Sequence, residues 1–394
     1  MMNKMVVDVS RLDGAAKLAS CVDLPLVSII IINYNYGRFL RDAVNSVFEQ
    51  TYPRIECIII DNASTDESGD VLIDIAERYQ DATILRRQAN GGQCIAAIEG
   101  FNKSSGEYVV FLDADDILLP AFIETHIFVH LSLRIPVGFS SVDMIQAVDR
   151  RMVLGTFFSI GEFVRSGKGK RVDLLHRIDK NAAEIWPLHS VDSTLESQVH
   201  YVEPLDATWV WSPTSGNCFR RDALNLFLCN EKLPQLQCAL DTYLARGINV
   251  LTGSVLIARS LAVYRMHGAN IFSKHPQLNG CLAFDRSSPN NKDQLSREFI
   301  INHMLSNAKL FLNKVLSPLY FFEALIALDI ADPQLQSSIK GCKSYLGSEL
   351  IYHRQTLARE FGLAPLLALM KRLGVPRRLI LLSYFNWKPK RKRA

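Results

Sequence analysis

The sequence has no C-x-x-C pair among its eight cysteines, no G-x-G-x-x-G after its first apolar run, no internal repeat and no apolar stretch of membrane-spanning length. The wide cysteine spacing excludes a zinc ribbon or a small disulfide scaffold, so the thiols read as reduced, with Cys57 in an apolar run as core. Without the glycine fingerprint there is no phosphate loop for a nicotinamide oxidoreductase, and Asn33-Tyr34-Asn35-Tyr36-Gly37 cannot substitute for it. Without a repeat or a span, a solenoid and a helical membrane protein are excluded as well. Met1 to Leu24 lacks a basic stretch followed by a long apolar run, so no secretory signal is expected and the protein is expected in the cytoplasm.

Excess charge is also scarce. The net charge is +4 over 394 residues, yet Lys371, Arg372, Arg377, Arg378, Lys388, Lys390, Arg391, Lys392 and Arg393 close the chain with no acid among them. Without those nine cations, residues 1–370 stand at −5. A mildly acidic body with a basic end argues against nucleic acid as a partner and for an anionic surface touched at one end. A composition of 48% hydrophobic and 21% charged residues is that of an ordinary globular chain, long enough for one large domain and a smaller one.

Residues 26–33 (LVSIIIIN) form a short β-branched apolar run with no polar alternation, which predicts a strand buried on both faces. Residues 38–49 then space Phe39, Leu40, Ala43, Val44, Val47 and Phe48 as one helical face, and Pro53 ends that pattern. The alternation continues with a strand over 55–60, a helix over 69–79, a short strand over 83–85, a helix over 93–102 and a strand over 108–112. Strands alternating with helices predict an α/β fold with a mostly parallel, Rossmann-like sheet flanked by helices. The region 135–210 shows no regular pattern; a helix is expected over 235–246, a strand over 250–256, and a C-terminal helical region follows.

In parallel sheets ligands bind beyond the carboxyl ends of the strands, and both Asn33-Tyr34-Asn35 and Asp113-Ala114-Asp115-Asp116 fall at such ends. Three carboxylates within four residues repel one another unless a cation sits among them, and Mg²⁺ or Mn²⁺ takes oxygen ligands from carboxylates and phosphates together. Taken alone, the same cluster is also a solvated acidic turn capping the next helix.

The run VSIIIINYNYGRFLRDAVNSVFEQTYPRIECIIIDNASTD, followed by NGGQCIAAIEGFNKSSGEYVVFLDADDILLP, closely resembles the family 2 glycosyltransferases, which have the GT-A fold. The resemblance is strong over residues 25 to about 120 and extends through weaker motifs to about 272. It implies a catalytic domain over 25–275 between an N-terminal extension, 1–24, and a C-terminal helical region with a basic tail, 276–394. It also implies a metal-dependent, inverting transfer of sugar from a nucleotide sugar, UDP-linked, to a hydroxyl of a glycan or lipid-linked acceptor in polysaccharide biosynthesis. The alternative is a non-catalytic nucleotide-sugar or glycan-binding protein that keeps the fold.

Carried onto this sequence, the resemblance implies that Tyr34 stacks on the base, that Asn33, Asn35, Asp61 and Asn90 line the nucleoside side, and that Asp113 meets the ribose or donor sugar. It makes Asp115 the foremost ligand of a divalent Mg²⁺ or Mn²⁺, with Asp113 and His267 as further candidates; His267 lies in the segment Tyr264-Arg265-Met266-His267-Gly268-Ala269-Asn270. Asp116 is expected to support its neighbours. Gly216, in Thr214-Ser215-Gly216-Asn217, matches a glycine loop where backbone approaches the ligands. Asp241, in Cys238-Ala239-Leu240-Asp241, matches the general base, although the frequent Glu-Asp pair reads Leu240-Asp241 here.

The C-terminal end interleaves Leu366, Leu367, Leu369, Met370, Leu373, Leu379, Ile380, Leu381 and Leu382 with cations, followed by Tyr384, Phe385 and Trp387. Residues 364–394 therefore read equally as a peripheral contact with an anionic membrane or as a core helix trailing a solvated basic tail.

Overall fold

The computed structural model describes residues 23–171, 173–176, 194–268, 270, 291–313, 317–331, 335, 337 and 339–385. Its first half alternates β1 (Val27–Asn33), α1 (Gly37–Phe48), β2 (Ile55–Asp61), α2 (Ser68–Arg78), β3 (Thr83–Arg86), α3 (Gln93–Lys103) and β4 (Tyr108–Asp113). The sheet is extended by β5 (Ile117–Leu118), β6 (Phe139–Val148), β7 (Arg151–Leu154), β8 (Val199–Val202), β9 (Asn217–Arg220) and β10 (Ser254–Met266). The helices α4 (Phe122–Ser132), α5 (Phe158–Arg165), α6 (Leu195–Gln198), α7 (Arg221–Phe227) and α8 (Leu240–Thr252) lie between them.

The strands form one sheet in the order β3-β2-β1-β4-β9-β6-β10-β5, with β7 on β6 and β8 on β10. β1, β2, β3, β4, β6 and β10 share one direction, while β5, β7, β8 and β9 oppose it. The expected α/β architecture with a mostly parallel sheet and a C-terminal helical region is therefore present. The unbroken apolar run of β1 has a direct cause: Ile30 and Ile32 enter one core, and Val27, Ile29 and Ile31 enter another on the opposite face. α3 lies so close on β1 that a Cβ at Gly100 would stand 2.3 Å from Ile30 Cγ2, which only glycine avoids.

The C-terminal helices α9 (Asn291–Ser306), α10 (Ala308–Leu312), α11 (Pro318–Ile330), α12 (Tyr345–Tyr352), α13 (Arg354–Phe361), α14 (Leu363–Arg372) and α15 (Arg377–Phe385) join the Ile30 core. Phe311 packs on Phe227 at 5.5 Å between centroids, and Asp293 of α9 pairs with both Arg246 of α8 and Arg297. Leu366, Leu369 and Met370 are buried in this core, so that part of the apolar C-terminal pattern serves packing. Residues 386–394, with Trp387 and five of the nine cations, lie outside the described residues, as do 1–22. No described helix is long and apolar enough to cross a membrane.

Two stretches differ from their sequence patterns. The region 135–210 contains the ten-residue β6, hidden because Ser140, Ser141, Asp143 and Gln146 are polar yet buried. The helix expected over 235–246 starts at Leu240, because Gln237 and Ala239 have φ of 61° and 68° and break it, and the strand expected at 250 starts at Ser254, after Gly253 at φ 68°.

Candidate active site

Parallel register sets Asn33 beside Asp61 and Ile32 beside Asp113, so the carboxyl ends of β1, β2 and β4 form one polar rim. Asp115 is buried there, with its Oδ2 3.0 Å from Nε2 of His267 and 3.4 Å from Nδ2 of Asn270. Asn270 also fixes the turn after β10, accepting the His267 N–H at 2.8 Å and donating to the Arg265 carbonyl at 2.9 Å. The His267 ring packs against Tyr36 and Phe39, with centroids 5.2 and 4.7 Å away, and its buried Nδ1 has no hydrogen-bond partner.

Asp113 accepts from Gln93 Nε2 at 2.9 Å; burial and the charge of Asp115 push its carboxyl up to about 7, against the pull of that hydrogen bond. Asp116 accepts the Ser215 hydroxyl at 2.6 Å and the Arg265 N–H at 3.2 Å, and burial plus its two acidic neighbours raise its pKa well above the ordinary range. The charge of Arg265 acts on Asp115 and Asp116 but is shared with Asp42. Its guanidinium pairs with Asp42 at 2.8 Å and donates to main-chain carbonyls of Phe39 and residues 114–116.

That charge deficit fits a divalent cation. A carboxylate and an imidazole 3.0 Å apart, with Asp113 close by, supply mixed oxygen and nitrogen donors. Among the described residues no group of three or more His, Cys, Asp or Glu side chains is arranged to hold a metal, so a cation here would need oxygen ligands from elsewhere as well.

Just past the end of β1, Tyr34 is 42% exposed, presenting its ring at the rim. Asn33 is a buried brace: its Nδ2 donates to Asp61 Oδ1 at 3.0 Å and to Ser68 Oγ at 2.9 Å. Asn35 adopts φ 58°, tolerable for asparagine, and its Oδ1 accepts the Thr65 N–H at 2.8 Å. Asp61 is buried, with Arg86 3.6 Å from its second oxygen. Asn90 Oδ1 accepts from Asn62 and from the Gly92 N–H, both at 2.8 Å.

Asp241 stands in the first turn of α8, near enough to Asp113 to act on it electrostatically, its Oδ1 taking the Thr242 N–H at 2.7 Å. Burial raises its pKa, opposed by hydrogen bonds from Thr242 and Thr214. Gly216 ends a short 3-10 turn, where a Cβ would meet that of Ser212 at 2.6 Å. Gln93, Ser215, Arg265, Asn270 and Asn62 are site neighbours that the sequence did not single out. They have partners distant in the chain, and only the strand-end position of Asn62 and the place of Gln93 at the start of α3 hinted at them. A cavity of about 450 Å³ opens beside His267, between α1 and the turn joining β6 to β7.

Residues 28–180 match the profile of Glycosyl transferase family 2. An uncharacterized glycosyltransferase of Nostoc sp. is 31% identical over 249 residues, which are 62% of this chain and 66% of the relative. Residues 28–180 thus form a glycosyltransferase family 2 region. The glycosyltransferase GlyG of Streptococcus pneumoniae is 28% identical over 137 residues, 35% of this chain and 40% of that protein. The matches thus span just under two thirds of the first of these relatives and less of the second. The match to the crystal structure of S. aureus TarS 1-349 in complex with UDP covers 91% of this chain and 89% of that one, at 13% identity and a TM-score of 0.47. At that level it bears no weight, and the architecture rests on the strand order given above.

Proposed function

We propose that this chain is a metal-dependent, inverting glycosyltransferase that moves a sugar from a UDP-sugar to a hydroxyl of a glycan or lipid-linked glycan in polysaccharide assembly. The observation that carries the reading is the crowded Asp113 and Asp115 beside His267, with a further, half-buried carboxylate, Asp241, near Asp113 in the first turn of α8. Within this reading the catalytic unit is 25–275 and the helical region 276–394 supports it.

Tyr34 offers an aromatic face to the base, and Asn35, Asp61 and Asn90 shape the nucleoside side. Asp113 orients ribose or donor sugar. Asp115 and His267, with Asp113, would hold Mg²⁺ or Mn²⁺, which offsets charge on the departing diphosphate when bound. Asp241 takes the proton of the acceptor hydroxyl onto its carboxylate, and a carboxyl whose burial raises its pKa is better matched to that task near neutral pH. Gly216 lets its loop pack tightly on Ser212, where a Cβ would stand 2.6 Å away, and the loop so held is read as lying beside the ligands. Leu366, Leu369 and Met370 are committed to the core, so any contact of 364–394 with an anionic membrane would rest on its cations and on exposed apolar residues such as Leu381.

The test is release of nucleoside diphosphate from a panel of nucleotide sugars with Mn²⁺. Turnover of one donor, lost in Asp115→Ala, is expected. Full activity in Asp115→Ala overturns the metal assignment, and UDP binding without turnover across the panel favours the non-catalytic alternative.

A further inference from the structure

Gln93 opens α3, directly after the turn Asn90-Gly91-Gly92, and its side chain faces two parts of the rim at once. Its Nε2 donates to Asp113 Oδ1 at 2.9 Å and lies 3.4 Å from Thr214 Oγ1. Its Oε1 accepts the main-chain N–H of Leu240, the residue before Asp241, at 3.5 Å. One amide therefore touches the donor-side carboxylate, the loop that carries Gly216 and the start of the helix that carries the base.

The stretch leading into that helix needs holding. Gln237 and Ala239 have φ of 61° and 68°, a left-handed conformation that side chains adopt where the surroundings enforce it. α3 supplies much of that enforcement: the Cys94 N–H donates to the Gln237 carbonyl at 3.3 Å, and a Cβ at Gly92 would stand 2.7 Å from that oxygen. Lys292 of α9 contacts Cys238 Sγ from another side. The same α3 start is tied to the nucleoside side, because Asn62 donates to Asn90 and Asn90 accepts the Gly92 N–H. The backbone contacts hold the segment before Leu240; Gln93 reaches both the helix start and Asp113 through one amide, beside Thr214, which bonds Asp113 through its side chain and Asp241 through its main chain.

We propose that Gln93 is a positioning residue that couples the seating of the donor at Asp113 to the alignment of Asp241. The inference rests on the transferase reading. The amide is chemically suited to the role: one planar group donates to a carboxylate and accepts a main-chain N–H, whereas glutamate can only accept when ionised and leucine can do neither.

Two variants separate the arms. Gln93→Glu keeps the acceptor for Leu240 but sets another negative charge against Asp113. It is expected to raise the donor KM about tenfold while kcat at saturating donor falls less than about threefold. Gln93→Leu removes both arms and is expected to lower kcat at least about tenfold, as misplacement of a catalytic group does, and to raise the donor KM as well. UDP affinity measured by calorimetry should follow the KM of each variant. Should Gln93→Leu not fold, Gln93→Met restores the volume without the hydrogen bonds and carries the same expectation. Values of kcat and KM within about twofold of wild type in both variants overturn the proposal, as does an equal fall of kcat in both with KM unchanged. Wild-type turnover tests the transferase reading separately. If wild type proves inactive on every donor, UDP affinity still decides the Asp113 arm: unchanged affinity in Gln93→Glu overturns it.

Discussion

Glu56, near the amino end of β2, and Asp113, at the carboxyl end of β4, are carboxylates of one sheet in opposite circumstances. Burial works to raise the pKa of Glu56, but it accepts from the Ser28 hydroxyl at 2.6 Å, the Ser105 N–H at 2.6 Å and the Gly106 N–H at 3.0 Å, and together these hold it below the ordinary range. Asp113 is raised by burial and by Asp115, with Gln93 its main counterweight. A carboxylate with a full set of donors ties strands and loops together and asks for nothing more. One short of donors and crowded by like charge is held ready for a positive partner, and such groups concentrate at functional sites.

The largest expected difference between the two ends is catalytic. Asp115→Ala should lower kcat/KM by at least about 10²-fold, and chelation of divalent metal should do the same to wild type. Glu56→Ala should leave kcat within about twofold at 25 °C, because no ligand is expected at the amino ends. Nucleoside diphosphate release measures both. A large kcat loss in Glu56→Ala with the fold intact would break the contrast.

Stability should respond the other way round. Glu56→Ala strips acceptors from Ser28, Ser105 and Gly106, and leaving such donors unmet costs about 1–3 kcal/mol, readable by urea unfolding. The same measurement on Asp115→Ala without metal should show no loss of that size, since the substitution removes one of three crowded charges. Equal destabilisation by the two would mean that the rim is braced like the amino end.

Much of this contrast was legible in the sequence, but unevenly. β1, β2 and β4 announce themselves because Ile29 and Ile30 face different cores, which forces an unbroken apolar run. β6 stays hidden because Ser140 bonds His126 at 2.6 Å and Asp143 accepts the Phe157 N–H at 2.7 Å, so polar residues are buried in a central strand. The strand-end position of Asp113-Ala114-Asp115-Asp116 was readable, as was the His267 segment. The roles of Ser215, Arg265 and Asn270 were not, because each is defined by groups of the acidic cluster that only the tertiary fold brings near. Gln93 sits in a quoted motif, yet nothing local shows that its amide spans from Asp113 to Leu240. The apolar spacing of Leu366, Leu369 and Met370 was equally compatible with a membrane face until packing placed them in the core.

The smallest expected effect is the pH dependence of that stability difference. The folded-state pKa of Asp113, about 7, lies above its ordinary 3.8, so its contribution favours folding below the ordinary value and is lost as pH rises through about 7. Glu56 is shifted down, so its contribution is present above the ordinary 4.5 and is lost as pH falls below it. Without metal, Asp113→Asn should therefore be more stable than wild type by about 1–2 kcal/mol at about pH 8, solvent screening at this partly open carboxylate being allowed for, and should lose that advantage by about pH 4. Glu56→Gln should show the reverse trend, its deficit present at about pH 8 and shrinking toward acid. On the proposed metal assignment, Mn²⁺ should restore wild type relative to Asp113→Asn at the higher pH, the condition in which the charges it offsets are present. A stability gap between wild type and Asp113→Asn that stays flat from acid to alkaline pH, with and without Mn²⁺, would show that Asp113 is as well served by its neighbours as Glu56 is.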